Sequence, residues 1–502
     1  MADSADRLRL VLGVKLKQLR QERGFTLQTV AERAGVSISY LSEIEKGKKY
    51  PKPDKLVDLA HALGVPYDDL VSLKVDEALE GLREVIYSPF LKAFPFELFG
   101  VEPKDVVSLM AGVPQRASAL IRAFIEVSRT YDARVEHFLF AALRSYQQMH
   151  GNHFPEVEQA AADFRAAQGW DARFIPDAAT LRRVLETQHG YRIDTTALPE
   201  HETLDRFRSV LVESDPPTLL VNGDLRDEQQ AFLYARELGF LTLQPTERPT
   251  TGSWLKVESF EQVLANFEAS YFAGAVLIPA AALDEDLTAF FARDSWDRTA
   301  FERALVRYRA TPEMFGYRLT QRIPKQFGLS EIFFMRFHHA VERDSFRLTK
   351  VLNMSRVPVP HGIQLHEHYC RRWPGMEALR TLAAQQADGS YDGQPVIRVQ
   401  RSYFLNGDAE FFIIAVARPL ALQPGTNTVV MLGFLMDRAF KRAVRFWHDP
   451  AIPQVDVNLT CERCALANCT VRAAEPTILH TEAQQAEQEE ALRELTASVL
   501  SA

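Results

Sequence analysis

Four cysteines are the residues of this chain whose spacing most plainly invites chemistry. Three sit together as Cys461-x-x-Cys464-x-x-x-x-Cys469, and Cys370 lies well upstream. A Cys-x-x-Cys turn puts two sulfurs within reach of one metal, and a third thiol a few residues on can close a face. Zinc sites more often pair two such turns. Three clustered thiols plus a remote one better suit the four thiolates of a 4Fe–4S cluster, with Zn2+ as the alternative and four unrelated thiols as the plainest reading. Arg371, Arg372, Arg463 and Arg472 neighbour these cysteines and would offset thiolate charge. His361, His366 and His368 precede Cys370 as competing ligands, though each alone is more simply a solvated loop histidine.

A second pattern, Gly24 to Gly47, is built to touch a polyanion. Thr26 can cap a short helix with Val30, Ala31 and Ala34 on its inner face. Gly35 follows where a tight turn needs positive φ. Ser37 can cap a second helix, whose inner residues are Leu41 and Ile44. Its outward residues Ser37, Ser39, Tyr40, Ser42 and Glu43 are candidate contacts to base edges and sugar-phosphate. Lys46, Lys48, Lys49 and Lys52 are candidate phosphate contacts, with a solvated face as the alternative. The spacing of Val30, Ala31, Gly35, Leu41 and Ile44 resembles the lambda-repressor and Cro (XRE) type of helix-turn-helix. The endings Ile44-Glu45-Lys46-Gly47 and Leu59-Ala60-His61-Ala62-Leu63-Gly64-Val65 match it too. Many relatives hold a phosphate through a glutamine after the cap threonine. Leu27 stands there, so Gln28 or Thr29 has to substitute.

Charge agrees with this reading locally. From Arg7 to Leu56 there are twelve Lys and Arg against five Asp and Glu, whereas the whole chain carries −8. A basic head on an acidic body is what phosphate binding needs, since counterion release follows local charge.

A third constellation follows a strand pattern at Thr218–Asn222. The helix beginning near Asp227 reads Ala235-Arg236-Glu237-Leu238-Gly239-Phe240. With Ala269-Ser270-Tyr271-Phe272-Ala273, preceded by Glu268, and Val276-Leu277-Ile278-Pro279, it resembles the zinc-peptidase domain of the ImmA and IrrE type. That family carries Ala-His-Glu-x-x-His on this helix. Glu237 matches its general base, but Arg236 and Phe240 occupy both histidine positions. Arginine does not deprotonate to ligate zinc at neutral pH, and phenylalanine has no lone pair. The resemblance therefore implies a retained fold without proteolysis. Arg236, Glu237, Phe240 and Glu268 would line a vestigial pocket suited to an anion through Arg236, or else Arg236 and Glu237 make surface salt bridges only.

The elements that must position these groups follow from periodicity and punctuation. A chain of 502 residues implies about three domains. It is 46% hydrophobic and 25% charged, an ordinary soluble composition. No apolar run approaches the roughly 18–20 residues of a membrane span, and the start lacks a signal-peptide core, so the expected place is the cytoplasm. The expected fold is multidomain α+β. Residues 7–73 form a five-helix DNA-binding head. Residues 74–150 form a helical connector, cut by Pro89, Pro95, Pro103 and Pro114, that is a candidate dimerisation region. Residues 151–282 form the zincin-like α+β pseudo-peptidase domain and 283–345 a further helical segment. Residues 346–476 form an antiparallel-sheet domain holding the cysteines, with strands at Pro395–Phe404, Glu410–Leu420 and Asn427–Met436. Residues 477–502 form a polar helical tail.

Taken together, the head, the altered peptidase domain, and the C-terminal Cys370-x-x-Trp373 and Cys461 to Arg472 motifs resemble the short-chain fatty-acyl transcriptional regulator family. The resemblance implies control of acetate, propionate or related acyl genes, with an acyl-CoA or redox effector. The partners expected are a double-stranded DNA operator and a second copy of the chain, because half-sites on DNA need two heads. Two other readings stand beside this one. One is a DNA-tethered metallopeptidase cleaving a partner regulator. The other is a regulator whose cysteines hold only structural zinc.

Overall fold

The computed structural model describes residues 12–13, 15–17, 19–21, 23–45, 49–71, 135–249, 259–360, 367–405, 407 and 409–501. Lys46, Lys48, His361, His366 and most of the expected connector lie outside the described residues. The chain divides into two compact units, residues 1–146 with 256–263, and residues 147–255 with 264–502.

In the first unit, helical residues 12–13, 15–17 and 19–21 precede α1 (Leu27–Arg33), α2 (Ile38–Glu45), α3 (Pro53–Leu63) and α4 (Tyr67–Val71). Both expected caps form. The Thr29 N–H donates to Thr26 Oγ1 at 3.1 Å, and the Tyr40 N–H to Ser37 Oγ at 3.1 Å. Gly35 takes φ of +59° between the two helices, a conformation that only a residue without Cβ adopts cheaply. One core gathers Leu12, Leu16, Val30, Ala31, Leu41, Ile44, Leu56, Leu59 and Leu63. Its helices touch backbone to backbone, since a Cβ on Gly13 would lie 2.4 Å from the Ile44 carbonyl oxygen. Arg20 clamps Glu45 at the end of α2 with two hydrogen bonds of 2.7 and 2.8 Å, both side chains largely buried. The recognition helix is thus held at its apolar face and at its last turn. Helix α5 (Val135–Met149) follows.

The second unit opens with α6 (Pro155–Ala167) and α7 (Ala178–His189). A small sheet follows, of β1 (Arg192–Asp194), β2 (Ser209–Val212) and β3 (Thr218–Val221) in the order β1-β3-β2. Then come α8 (Asp227–Leu243), α9 (Phe260–Leu277), α10 (Ala280–Phe291), α11 (Arg298–Arg307) and α12 (Pro312–Phe327). Among the described residues no single helix is long and apolar enough to cross a membrane.

The last layer is a six-stranded sheet. Its strands are β4 (Ile332–Ala340), β5 (Ser345–Asn353), β6 (Val396–Phe404), β7 (Glu410–Pro419), β8 (Thr426–Leu435) and β9 (Gln454–Val457), ordered β5-β4-β8-β7-β6-β9. One face packs Phe333, Met335, Ile413 and Met431 on Trp373, Met376 and Leu379 of α13 (Pro374–Ala387) and its cap. The opposite face turns Phe334 and Leu432 toward α12. Two expectations are corrected here. The segment 283–345 is not helical to its end, because β4 starts at Ile332. That run is buried on both faces, so it lacks the alternation that marks a half-buried strand. The sheet is also not wholly antiparallel, since β9 runs parallel to β6. Beyond it lie α14 (Arg438–Ala443) and the exposed tail helix α15 (Thr477–Ser501).

Candidate functional site

Helix α2 presents the face expected of a base reader. Ser37 and Ser39 are exposed, while Tyr40, Ser42 and Glu43 are half-buried along the same side. Lys49 pairs with Glu43 at 2.8 Å and stands 5.8 Å over the Tyr40 ring, which sets a cation at the edge of this surface. Gln28 and Thr29 sit at the start of α1. Gln28 donates to Glu32 at 3.0 Å, and the Thr29 hydroxyl lies 2.8 Å from that of Thr26. Both are therefore turned onto their own helix here and have to rotate to meet a phosphate. The sequence reading missed Ile38, which is 48% exposed in the first turn of α2. An apolar side chain there suits a thymine methyl group. An apolar residue directly after the cap, off the inner stripe, was the available signal.

The peptidase-like helix α8 holds Glu237 in a closed arrangement. The Tyr191 hydroxyl donates to Glu237 Oε1 at 2.7 Å, and Arg248 Nη2 donates to both carboxylate oxygens at 2.9 Å. The Arg248 guanidinium also lies 4.6 Å over the Phe240 ring, and Phe240 packs on Ala265 and Ala269. Burial, with the Glu237 charge beside it, pushes the Tyr191 hydroxyl up to about 12, so it remains a donor. Arg236 points elsewhere, donating from Nη2 to Ser209 Oγ at 3.0 Å while its buried Nε has no partner. Burial takes its pKa down to about 10. Glu268 is raised by burial and by the Glu156 charge. Surface salt bridges between Arg236 and Glu237 are thus not what forms. Glu237 is buried and neutralised by Arg248, a residue with no motif around it.

Comparison with known proteins now bears on this geometry. The family described as a helix-turn-helix domain matches residues 13–74, and the IrrE N-terminal-like domain matches residues 187–320. The HTH-type transcriptional regulator y4dJ of Sinorhizobium fredii is 40% identical over 76 residues, which is 97% of its length and 15% of this chain. The chain belongs to the helix-turn-helix transcriptional regulators. Over most of its length this regulator is similar to the HTH-type transcriptional regulator RamB of Mycobacterium tuberculosis, 24% identical over 501 residues and covering 92% of this chain and 94% of that one. It is also 29% identical over 135 residues to the propionyl-CoA carboxylase regulator of Cereibacter sphaeroides, 27% of each chain.

The regulator's cysteines are gathered by backbone pairing. Tyr369 and Thr460 form an isolated antiparallel bridge, the Cys370 N–H donates to the Leu459 carbonyl at 3.2 Å, and the Cys461 N–H to that of His368 at 2.9 Å. The Cys464 N–H donates to the Cys461 carbonyl at 3.2 Å, closing the Cys-x-x-Cys turn. Cys370, Cys461 and Cys464 are buried, and Cys469 is half-buried on the same loop. Burial pushes the Cys370 thiol up to about 11, the neighbouring Cys461 and Cys464 add to this, and the N–H groups of Asn458 and Arg372 oppose it. The Ala473 N–H points at Cys461 Sγ at 3.4 Å.

Of the four expected charge-offsetting arginines, only Arg371 feels the thiols, those of Cys370 and Cys461. Arg463 pairs with Glu367 at 2.8 Å, and Arg372 donates to the Asp456 carbonyl at 2.7 Å. Arg472 donates to the carbonyls of Cys461, Cys464 and Leu466, so it shapes the loop. His368 is tied to Glu462 at 2.8 Å. Among the described residues no three His, Cys, Asp or Glu side chains are grouped so as to hold a metal ion. Buried thiols with N–H groups aimed at sulfur suit a thiolate-bound metal chemically. A four-thiolate shell, however, requires the loop from Cys464 to Cys469 to tighten.

Proposed function

We propose that the regulator binds operator DNA as a two-fold dimer through α2 and controls genes of short-chain acyl metabolism, its DNA affinity set by an acyl-CoA or redox signal received beyond the head. The observation that carries this reading is the exposed polar face of α2, held by an apolar core behind it and by the Arg20–Glu45 clamp at its end. The printed name of the Cereibacter sphaeroides relative supports the acyl assignment. A gel shift of the full chain against duplex from upstream of its own gene tests it. We expect affinity that falls steeply with salt, as counterion release requires. Folded protein without salt-sensitive binding to any duplex sinks the reading.

The peptidase-like domain serves this role without proteolysis. Phe240 fills one ligand position, and Glu237 is held by Arg248 and cannot act as a free base.

The four cysteines take a 4Fe–4S cluster in this reading, with Zn2+ as the second choice. Cys370, Cys461, Cys464 and Cys469 would be its thiolate ligands, and a cluster would supply a one-electron redox signal. An anaerobic preparation should contain iron and sulfide and absorb broadly in the visible range, and Cys370→Ala should lose both. A colourless protein with stoichiometric zinc would replace the cluster by a structural ion. Neither metal would leave four thiols.

A further inference from the structure

The sheet face opposite α13 carries more positive charge than its neighbours neutralise. Two adjacent cross-strand rows are set by register. In one, His338 of β4 lies opposite Arg347 of β5 and Thr428 of β8, and Thr428 opposite Arg418 of β7. In the other, Arg336 lies opposite Lys350 and Val430, and Val430 opposite Val416. Helix α12 supplies Glu313, which accepts two hydrogen bonds of 2.7 Å from Arg336 and lies 3.7 Å from Lys350. Lys350 also sits 3.8 Å over the Tyr317 ring.

Glu313 is thus already engaged, and the other cations are not so well matched. Arg418 approaches Glu228 only to 3.8 Å. Arg208, just before β2, makes no hydrogen bond to any described residue, yet Arg236, Arg418 and His338 all feel its charge. Both His338 ring nitrogens are buried and lack a partner. Burial and the surrounding arginines take His338 down to about 4, so its ring is neutral and keeps one N–H donor. Burial lowers Arg208 and takes Arg418 to about 10. Desolvated cations of this kind are stabilised by an opposite charge among them, and arginine is the side chain suited to a planar oxyanion.

The neighbouring row on the same face is apolar. Val416, Val430, Ile414, Leu432 and Phe334 line a cavity of about 10 Å³ closed by Leu319 of α12. We propose that this buried face binds a small organic anion, with its carboxylate or phosphate on Arg208, Arg418 and His338 and a short apolar tail along Val416 and Val430. The inference supplies a place for the ligand signal proposed above. Its test is run without DNA, so its failure and a failure to bind operator are separate results.

The experiment is thermal unfolding of the full chain with propionate, n-propyl phosphate, inorganic phosphate, or the neutral propionamide at millimolar concentration. We expect at least one anion to raise Tm by about 2–4 °C and propionamide to leave it unchanged. Propionate against propyl phosphate distinguishes a carboxylate from a phosphate head. Decanoate should give no rise, because the cavity does not hold a long tail. Arg208→Met and Arg418→Met should abolish the rise without lowering Tm in anion-free buffer, since each removes a poorly matched buried charge. A merely structural arginine would lower that Tm and leave the rise intact. The proposal is overturned if no anion raises Tm, if propionamide acts equally, if decanoate acts like propionate, or if the rise survives both substitutions. The ligand series uses the unaltered chain, so it decides even if a variant does not fold.

Discussion

Replacing Ser39 by glutamate will lower the regulator's affinity for its operator by about a hundredfold at fixed salt, an effect the size of one or two lost base contacts. Ser39 is exposed on α2 and takes no part in the core behind it. A carboxylate there meets phosphates and base acceptors, and nothing in the groove offsets its charge. Unfolding should be unaffected, because the inner residues Leu41 and Ile44 are untouched. Fluorescence anisotropy against labelled duplex, with Tm measured in parallel, reads both. Binding as tight as that of the unaltered chain would show that α2 does not enter the groove. Lys49→Gln is the companion test. It should weaken binding to all sequences alike and reduce the salt slope by about one, as loss of one phosphate contact does.

Glu158→Gln will be the most destabilising conservative change in the second unit, by about 3–5 kcal/mol, the usual result of stranding one partner of a buried ion pair. Glu158 of α6 accepts hydrogen bonds of 2.7 and 2.9 Å from Arg318 and one of 2.7 Å from the Tyr271 hydroxyl. The Arg318 side chain is fully buried. The pair ties α6, α9 and α12 together, and a glutamine keeps the shape while leaving the guanidinium charge unmatched. Burial alone would push the Glu158 carboxyl up. The Arg318 charge and hydrogen bond, then Tyr271 and Arg322, outweigh it and hold the group at about 2 against an ordinary 4.5. A folded pKa below the unfolded one means the stabilisation is complete above the unfolded value and is lost as pH falls from about 4.5 toward 2. Urea midpoints across that window should fall more steeply for the unaltered chain than for the variant. Equal midpoints at neutral pH would mean that the pair contributes nothing.

The head was legible because its determinants are local. Caps at Thr26 and Ser37, a positive φ at Gly35, and apolar positions at helical spacing each act within one turn of chain. The absent histidines of α8 were legible for the same reason, since metal ligands at i and i+4 must be read on one helix. What Glu237 does instead was not legible. Its partner Arg248 comes from beyond the end of α8, where no periodicity directs it inward. Strand β4 was hidden differently, because α12 and α13 cover its two faces and remove the alternation that distinguishes strand from helix.

The cysteines divide the same way. The turn Cys461-x-x-Cys464 follows from spacing alone, a property of adjacent residues. The arrival of Cys370 beside it depends on the Tyr369–Thr460 bridge, and the different uses of Arg371, Arg372, Arg463 and Arg472 depend on which carbonyl or carboxylate each meets. The sequence by itself therefore determined the DNA-reading helix, the loss of the peptidase ligands and the thiol turn. Only the tertiary structure decided that Glu237 is neutralised, that three thiols share one place, and that Arg208, Arg418 and His338 face one another. The physical reason is range: capping and periodicity act within a few residues, whereas charge pairing and burial are settled by which distant segments the core brings together.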